Sequence, residues 1–214
     1  MNDNNFVITI GRQFGSGGRA IGKKLSSLLN IAYYDKELIK EASKRSGVSM
    51  DFLEKADEKA PNFLDYALIG SFGNENVLSN GNFYVLQSNV ITSIAEERSC
   101  VIVGRSADYI LRSHPNCINL FIQAPIDYRI QRVCERLQLS KDDAREMIEK
   151  QDKSRQKYYD FYTEKEWGTA ASYDLCIDSS IMGVHGTALF LKNFIDHVLE
   201  KKMGPHYNTS AHVF

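Results

Sequence analysis

Between Val7 and Leu25 the chain reads Val-Ile-Thr-Ile-Gly-Arg-Gln-Phe-Gly-Ser-Gly-Gly-Arg-Ala-Ile-Gly-Lys-Lys-Leu. An apolar run of strand character stops at a glycine-rich turn, and a helical pattern begins at once. A junction of this kind holds phosphate, because the backbone N–H groups of a tight loop and the positive end of a helix dipole converge on one point. Gly15, Ser16, Gly17, Gly18, Arg19 and Ala20 are the candidate phosphate-binding residues. The competing reading is a turn whose glycines only let helix and strand pack closely.

The common phosphate-loop pattern, G-x-x-x-x-G-K-[ST], uses its lysine on the outer phosphates and its hydroxyl on magnesium. Placing Gly15-Ser16-Gly17 on the turn sets Gly18 where that lysine belongs and leaves no hydroxyl after it, at Arg19 or Ala20. The backbone cradle survives both changes, but the positive charge must come from elsewhere. Arg12 and Arg19 are the nearest sources, and either guanidinium can grip phosphate oxygens with two parallel hydrogen bonds. Ser16 is the hydroxyl left in the loop to help bind a metal.

Other charged residues fall at similar junctions. Asp35 ends an apolar run and either orients an acceptor hydroxyl or caps the helix that follows. Arg105 comes directly after Cys100-Val101-Ile102-Val103-Gly104. Arg129, Arg132 and Arg136 lie near one helical face, either as a solvated basic face or as phosphate ligands. Arg155 pairs with Asp152 at i, i+3, which by itself is worth a few tenths of a kcal/mol in a helix. Phe63, Tyr66, Phe72, Phe83 and Tyr84, in or just after the irregular stretch 62–82, either stack on a base or belong to the core.

The elements that position these residues follow from hydrophobic period. Strands are expected over 6–10, 31–34, 100–103, 118–122 and 173–177, the middle one apolar throughout, as in a strand covered on both faces. Helical faces recur at Ile21, Leu25, Leu28 and Leu29; at Phe83, Leu86, Val90 and Ile94; and at Ala188, Leu191, Ile195 and Val198. A helix holding Ala107, Ile110 and Leu111 is expected to run to Pro115. Two short helices broken at Gly47 are expected over 36–60, with Ser49 capping the second. Ser140 caps a long polar helix through Asp152 and Arg155 toward Tyr162. Short strands alternating with helices indicate an α/β protein with a parallel sheet and helices on both faces, whose ligands gather beyond the carboxyl ends of the strands.

Bulk properties exclude several classes. The 214 residues are 43% apolar and 25% charged with a net charge of −1, which describes one folded domain with no global attraction to nucleic acid or anionic membrane. No apolar run reaches the length of a membrane span, and no basic stretch followed by an apolar core opens the chain. Cys100, Cys117, Cys134 and Cys176 form no C-x-x-C pair and read as reduced thiols of a cytoplasmic protein.

With these residues in view, the chain resembles the cytidylate kinase-like proteins, relatives of the P-loop nucleoside monophosphate kinases. The resemblance is carried by residues 10–19, by Tyr33-Tyr34-Asp35-Lys36-Glu37-Leu38-Ile39, by residues 101–111, by Phe121-Ile122-Gln123-Ala124-Pro125 with its arginine helix, and by residues 173–180. It implies a three-layer α/β/α P-loop kinase fold with a five-stranded parallel sheet in the order 2-3-1-4-5. It implies one domain over 1–214 with a monophosphate- or acceptor-binding insert at 36–98, an arginine-bearing lid at 127–170 and a loose tail at 204–214. It also implies ATP and Mg2+ as cofactors and small nucleotides as partners, without nucleic acid or membrane. Arg12, Arg19, Arg132 and Arg155 are then the catalytic candidates, and Asp35, Arg105 and Asp108 the acceptor-binding ones. The family's Gly-Arg-Asp after the third strand is here Gly104-Arg105-Ser106, with Asp108 the nearest acid. The expected activity is transfer of the ATP γ-phosphoryl group to CMP or dCMP. The alternatives are the same fold acting on another small acceptor, or nucleotide binding without transfer.

Overall fold

A computed structural model describes residues 5–35 and 80–204, with the side chains of the first helix after the gap described from Tyr84 onward. The helices expected over 36–60, the irregular stretch 62–79 and the tail from 205 lie outside the described residues. Five strands form one parallel sheet: β1 (Val7–Arg12), β2 (Ala32–Tyr34), β3 (Cys100–Val103), β4 (Cys117–Gln123) and β5 (Leu175–Asp178). Their order is β2-β3-β1-β4-β5, so the expected topology is observed. β1 is central and pairs with β3 and β4 on either side.

β1 runs two residues further than its apolar pattern suggests. Gly11 and Arg12 stay paired with Phe121 and Ile122 of β4, because a glycine and an arginine donate and accept in a ladder as well as valine does. β5 is shifted in the same direction, starting at Leu175 and taking in Asp178. The helix expected up to Pro115 is only α3 (Ala107–Ile110), after α2 (Asn80–Glu97).

Alternation along the strands divides the core. On one face Ile8, Ile10, Val101, Val103, Ile118, Leu120 and Ile122 pack against α1 (Gly18–Leu29) and α6 (Gly183–Met203). On the other, Val7, Cys100, Ile102 and Cys117 meet Val90, Ile91 and Ile94 of α2 and Ala107 of α3. Ile21 and Leu25 of α1 are fully buried and Leu29 nearly so. Each such side chain contributes roughly 1.5–3 kcal/mol. The four cysteines are free thiols, as expected.

A third cluster stands beside the sheet. Ile130 and Val133 of α4 (Ile126–Leu137) interlock with Ala144 and Ile148 of α5 (Lys141–Thr163). Ser140 caps α5 by accepting a hydrogen bond from the Asp143 N–H at 3.2 Å, as its spacing predicts. The rest of α5 crosses the carboxyl ends of the strands. No described helix is long and apolar enough to cross a membrane.

Candidate phosphate-binding site

The loop after β1 is shaped by residues far away in sequence. Gly15 and Gly17 take positive φ, 82° and 85°, which a glycine adopts without steric cost. The Ser179 hydroxyl, fully buried at the end of β5, donates to the Ser16 carbonyl at 2.5 Å. The Gln13 side-chain oxygen accepts from the Ala124 N–H at 3.1 Å. Gly17 caps α1 with no side-chain hydrogen bond. Among the described residues the N–H groups of Gly15, Gly17, Arg19 and Ala20 meet no acceptor. Unsatisfied backbone donors at the start of a helix are the groups that bind anions.

The space of the absent lysine is already taken. A Cβ placed on Gly18 would stand 2.6 Å from the Arg12 Cβ and 3.1 Å from its Cγ. Arg12 therefore runs across position 18, and its guanidinium continues to the turn after β3, where its Nη1 fills the space a Cβ on Gly104 would need. Both residues must be glycine for Arg12 to lie there. The guanidinium is mostly buried, and its Nε meets no acceptor among the described residues. Burial and the neighbouring Arg155, Arg105 and Arg19 pull its pKa down to about 9, while Asp35 acts in the opposite sense. A desolvated cation among cations is a place for an anion.

Other arginines close around the loop. Arg132 donates from Nε to the Gly15 carbonyl at 3.2 Å, and its Nη2 stands 3.2 Å from an ideal Cβ on Gly17. Arg155 donates to the Arg12 carbonyl at 3.0 Å. Burial lowers its pKa first, against the opposing pull of Asp152. Arg19 is half-exposed and forms an ion pair with the buried Asp35 at the end of β2. Arg105 is lowered mainly by burial, with Tyr158 and Asp35 acting against it. Gly15, Gly17, Arg132 and Arg136 line a depression of about 300 Å3 over the loop.

Arg12, Arg19, Asp35, Arg105, Arg132 and Arg155 are thus brought to one crevice. Two candidates are not offered to a ligand. The Ser16 hydroxyl, expected to help bind magnesium, is buried and donates to the Gln13 carbonyl at 2.9 Å, while the Gly18 N–H approaches it at 3.4 Å. Its proton is turned into the loop's own backbone. Asp108, expected at the acceptor, accepts a hydrogen bond from the Tyr159 hydroxyl at 2.6 Å. Burial raises its pKa, and that hydrogen bond opposes the rise. It ties α3 to α5.

Residues 7–181 match the profile of the cytidylate kinase-like family. The chain belongs to that family. Its curated relatives include the cytidylate kinase of Methanopyrus kandleri, 23% identical over 92% of this chain and 96% of that protein. The cytidylate kinase of Pyrococcus abyssi is 25% identical over 91% and 96%. Among solved structures, an uncharacterized protein from Eubacterium ventriosum superposes with a TM-score of 0.69 at 32% identity, covering 90% of this chain and 99% of that one. Shikimate kinase from Bacteroides thetaiotaomicron, at 14% identity, superposes with a TM-score of 0.51 over 89% and 98% and shares the fold. Family and fold together make this cytidylate kinase-like protein a kinase of small molecules.

Three participants escape a reading by motif. Arg129, open to a reading as solvated surface, is buried and paired with Asp152 at 2.5 Å. Asp152 also accepts from the Phe14 N–H at 2.6 Å. The Phe14 ring carries the Arg136 and Arg155 guanidinium groups at 5.3 and 5.4 Å from its centroid. The available signal was modest: an aromatic residue inside a glycine loop, and an acid facing arginines on two helices.

Proposed function

We propose that this protein transfers the γ-phosphoryl group of ATP to a nucleoside monophosphate, CMP or dCMP, with the crevice around Arg12 as the site of transfer. The observation that carries this reading is the Arg12 side chain, laid through the space of the missing lysine and buried among three other arginines. The loop N–H groups of Gly15, Gly17, Arg19 and Ala20 hold the donor phosphates, with Arg132 against Gly17. The exposed Ile181 and Met182, just before α6, offer apolar surface beside the loop for the donor base. Arg105 and Asp35, at the ends of β3 and β2, stand on the acceptor side.

In the transfer an oxygen of the acceptor phosphate attacks the γ-phosphorus, and the bond to the β,γ-bridging oxygen breaks with its electron pair leaving on ADP. Negative charge spreads over the transferring group, and the protein's work is to position the reactants and meet that charge. Arg12 and Arg155 are the cations between the two halves of the crevice. Magnesium, when bound with ATP, supplies further positive charge across the outer phosphates. The described residues contain no cluster of three His, Cys, Asp or Glu that could hold a metal.

ADP formation against a panel of monophosphates tests the reading. Turnover is expected with CMP or dCMP, and none with any member of the panel overturns it. Ser106 in place of the family's Asp favours one second reading, the same transfer to another small acceptor. Turnover of a non-nucleotide acceptor with none of CMP selects that reading.

A further inference from the structure

The peptide groups on both sides of Phe14 are gripped by an ion pair. Its N–H donates to Asp152 Oδ1 at 2.6 Å, and its carbonyl accepts from Arg129 Nη1 at 3.3 Å. The same Arg129 Nη1 donates to Asp152 Oδ2 at 2.5 Å. Arg129 comes from α4 and Asp152 from α5, so two helices and the loop meet in one closed ring of contacts. Arg155, one turn along α5, lies 3.7 Å from Asp152 Oδ1 and donates to the Arg12 carbonyl. Side chains of Arg129 and Asp152 are only 10% and 17% exposed, a burial at which ion pairing and hydrogen bonding resist screening by solvent.

We propose that Asp152 is a positioning residue whose carboxylate, shared between the Phe14 N–H and Arg129, holds the phosphate loop in its anion-binding shape and sets Arg155 over the crevice. Asp152 touches no phosphate itself. It acts through Phe14, whose successor Gly15 begins the cradle, and through Arg155. Whenever α5 moves, the loop moves with it. The proposal rests on the phosphate-binding reading of the crevice for its consequence, but its structural half stands independently.

The test measures amide hydrogen exchange on the free protein and ATP affinity by calorimetry, for the wild type, Asp152→Ala and Asp152→Asn. Asparagine keeps an oxygen for the Phe14 N–H while removing the charge that holds Arg129. In Asp152→Ala, exchange at Phe14 and Ser16, whose N–H groups are hydrogen-bonded in the loop, should quicken at least tenfold while Ile21, Leu25 and Val101 stay as slow as in the wild type. ATP affinity should fall at least tenfold, with Asp152→Asn between the two in both readouts. Unchanged exchange at Phe14 overturns the proposal, as does quickening spread equally through the core, which marks a merely structural role. Faster loop exchange with undiminished ATP affinity also overturns it. If the wild type binds no ATP, the functional reading fails, while the exchange data still decide whether Asp152 clamps the loop.

Discussion

The turns that follow β1 and β3 sit side by side at one edge of the sheet, and both leave the right-handed half of backbone space. After β1 the positive φ values fall on Gly15 and Gly17, where they cost little. After β3 they fall on three consecutive residues, Gly104, Arg105 and Ser106, at 80°, 65° and 50°. Two of these carry a Cβ, and each such residue costs about 1–2 kcal/mol. The first turn exposes backbone N–H groups and is braced from outside by Ser179, Ala124 and Asp152. The second spends strain to aim a side chain, with Gln87 donating weakly to the Arg105 carbonyl at 3.4 Å. Arg12 joins the two, rooted under the first and ending against the second. A cradle made of backbone tolerates almost any sequence that supplies its glycines, whereas a side chain aimed by a strained turn depends on particular residues. Backbone strain of this kind gathers where ligands bind.

Breaking the link between the turns should have the largest effect. Arg12→Ala is expected to lower kcat/KM for ATP-dependent transfer by roughly 1,000-fold, the low end for an arginine that meets transferring phosphoryl charge. Gly104→Ala should approach the same loss without touching a charge, because the added methyl falls on the Arg12 guanidinium. Steady-state ADP formation checks both, and a Gly104→Ala enzyme with wild-type turnover would mean that Arg12 does not need its seat. Gly18→Lys alone should be inactive for want of space. Combined with Arg12→Gly, it should recover part of the activity, a non-additivity that reveals shared space.

A second effect concerns pH. Burial holds the folded pKa of Arg12 at about 9, well below the ordinary guanidinium range. The folded state therefore sheds this proton first, and the group's contribution to stability grows as pH rises from about 9 toward the ordinary guanidinium range. At neutral pH it is a cost to the free protein. ATP binding requires the charged form, so affinity should weaken as pH rises through about 9 in the wild type and weaken less in Arg12→Ala, where Arg105 and Arg155 are still shifted down by burial. Calorimetric titrations at several pH values measure this, and parallel curves for the two proteins would contradict it. The free Arg12→Ala protein should also melt higher than the wild type while gaining less from ATP, since a buried cation without its anion is destabilising.

Smaller effects sharpen the other turn. Ser106→Asp restores the acid of the family pattern and should lower KM for CMP by roughly tenfold, the worth of one hydrogen bond involving a charged group. An unchanged KM would separate this position from base recognition. Ser106→Gly should relieve the left-handed backbone and raise Tm by about 2–4 °C, as expected for about 1 kcal/mol in a domain of this size. A lower Tm in a thermal melt would show that Ser106 is not strained.

Much of this arrangement was legible in the order of residues, and the reasons it was legible also mark where reading stops. The sheet order and the helical faces of α1 and α6 come from local hydrophobic period, which a sequence displays directly. Asp35 and Arg105 could be assigned to one crevice because strand ends in a parallel sheet share an edge. The choice between Arg12 and Arg19 could not be made, because it depends on whether Arg12 lies over Gly18 and reaches Gly104, a contact across 92 residues. Arg129 looked like a candidate for solvated surface because its partner Asp152 stands 23 residues on, in another helix. The inward turn of Ser16 was hidden because a hydroxyl in a loop has several acceptors within reach, and its rotamer follows the fold. Asp108 looked like the missing acid of a motif, yet its partner is a tyrosine of α5.

α5 has one further consequence, which concerns inheritance. Asp152 and Arg155 meet the loop and the Arg12 carbonyl, while Tyr159 meets Asp108 and Tyr162 stacks on Tyr84 of α2 at 4.0 Å. These four positions, spaced 0, 3, 7 and 10, lie on one stripe of a rod about 34 Å long. The rod is a gauge. Adding one residue between Arg155 and Tyr158 turns everything beyond it by about 100° and advances it by about 1.5 Å, so one end loses its seat whichever end keeps it. Descendants of this chain should therefore accept insertions and deletions before Ser140 or after Thr163 far more readily than within the segment that joins the two halves of the crevice.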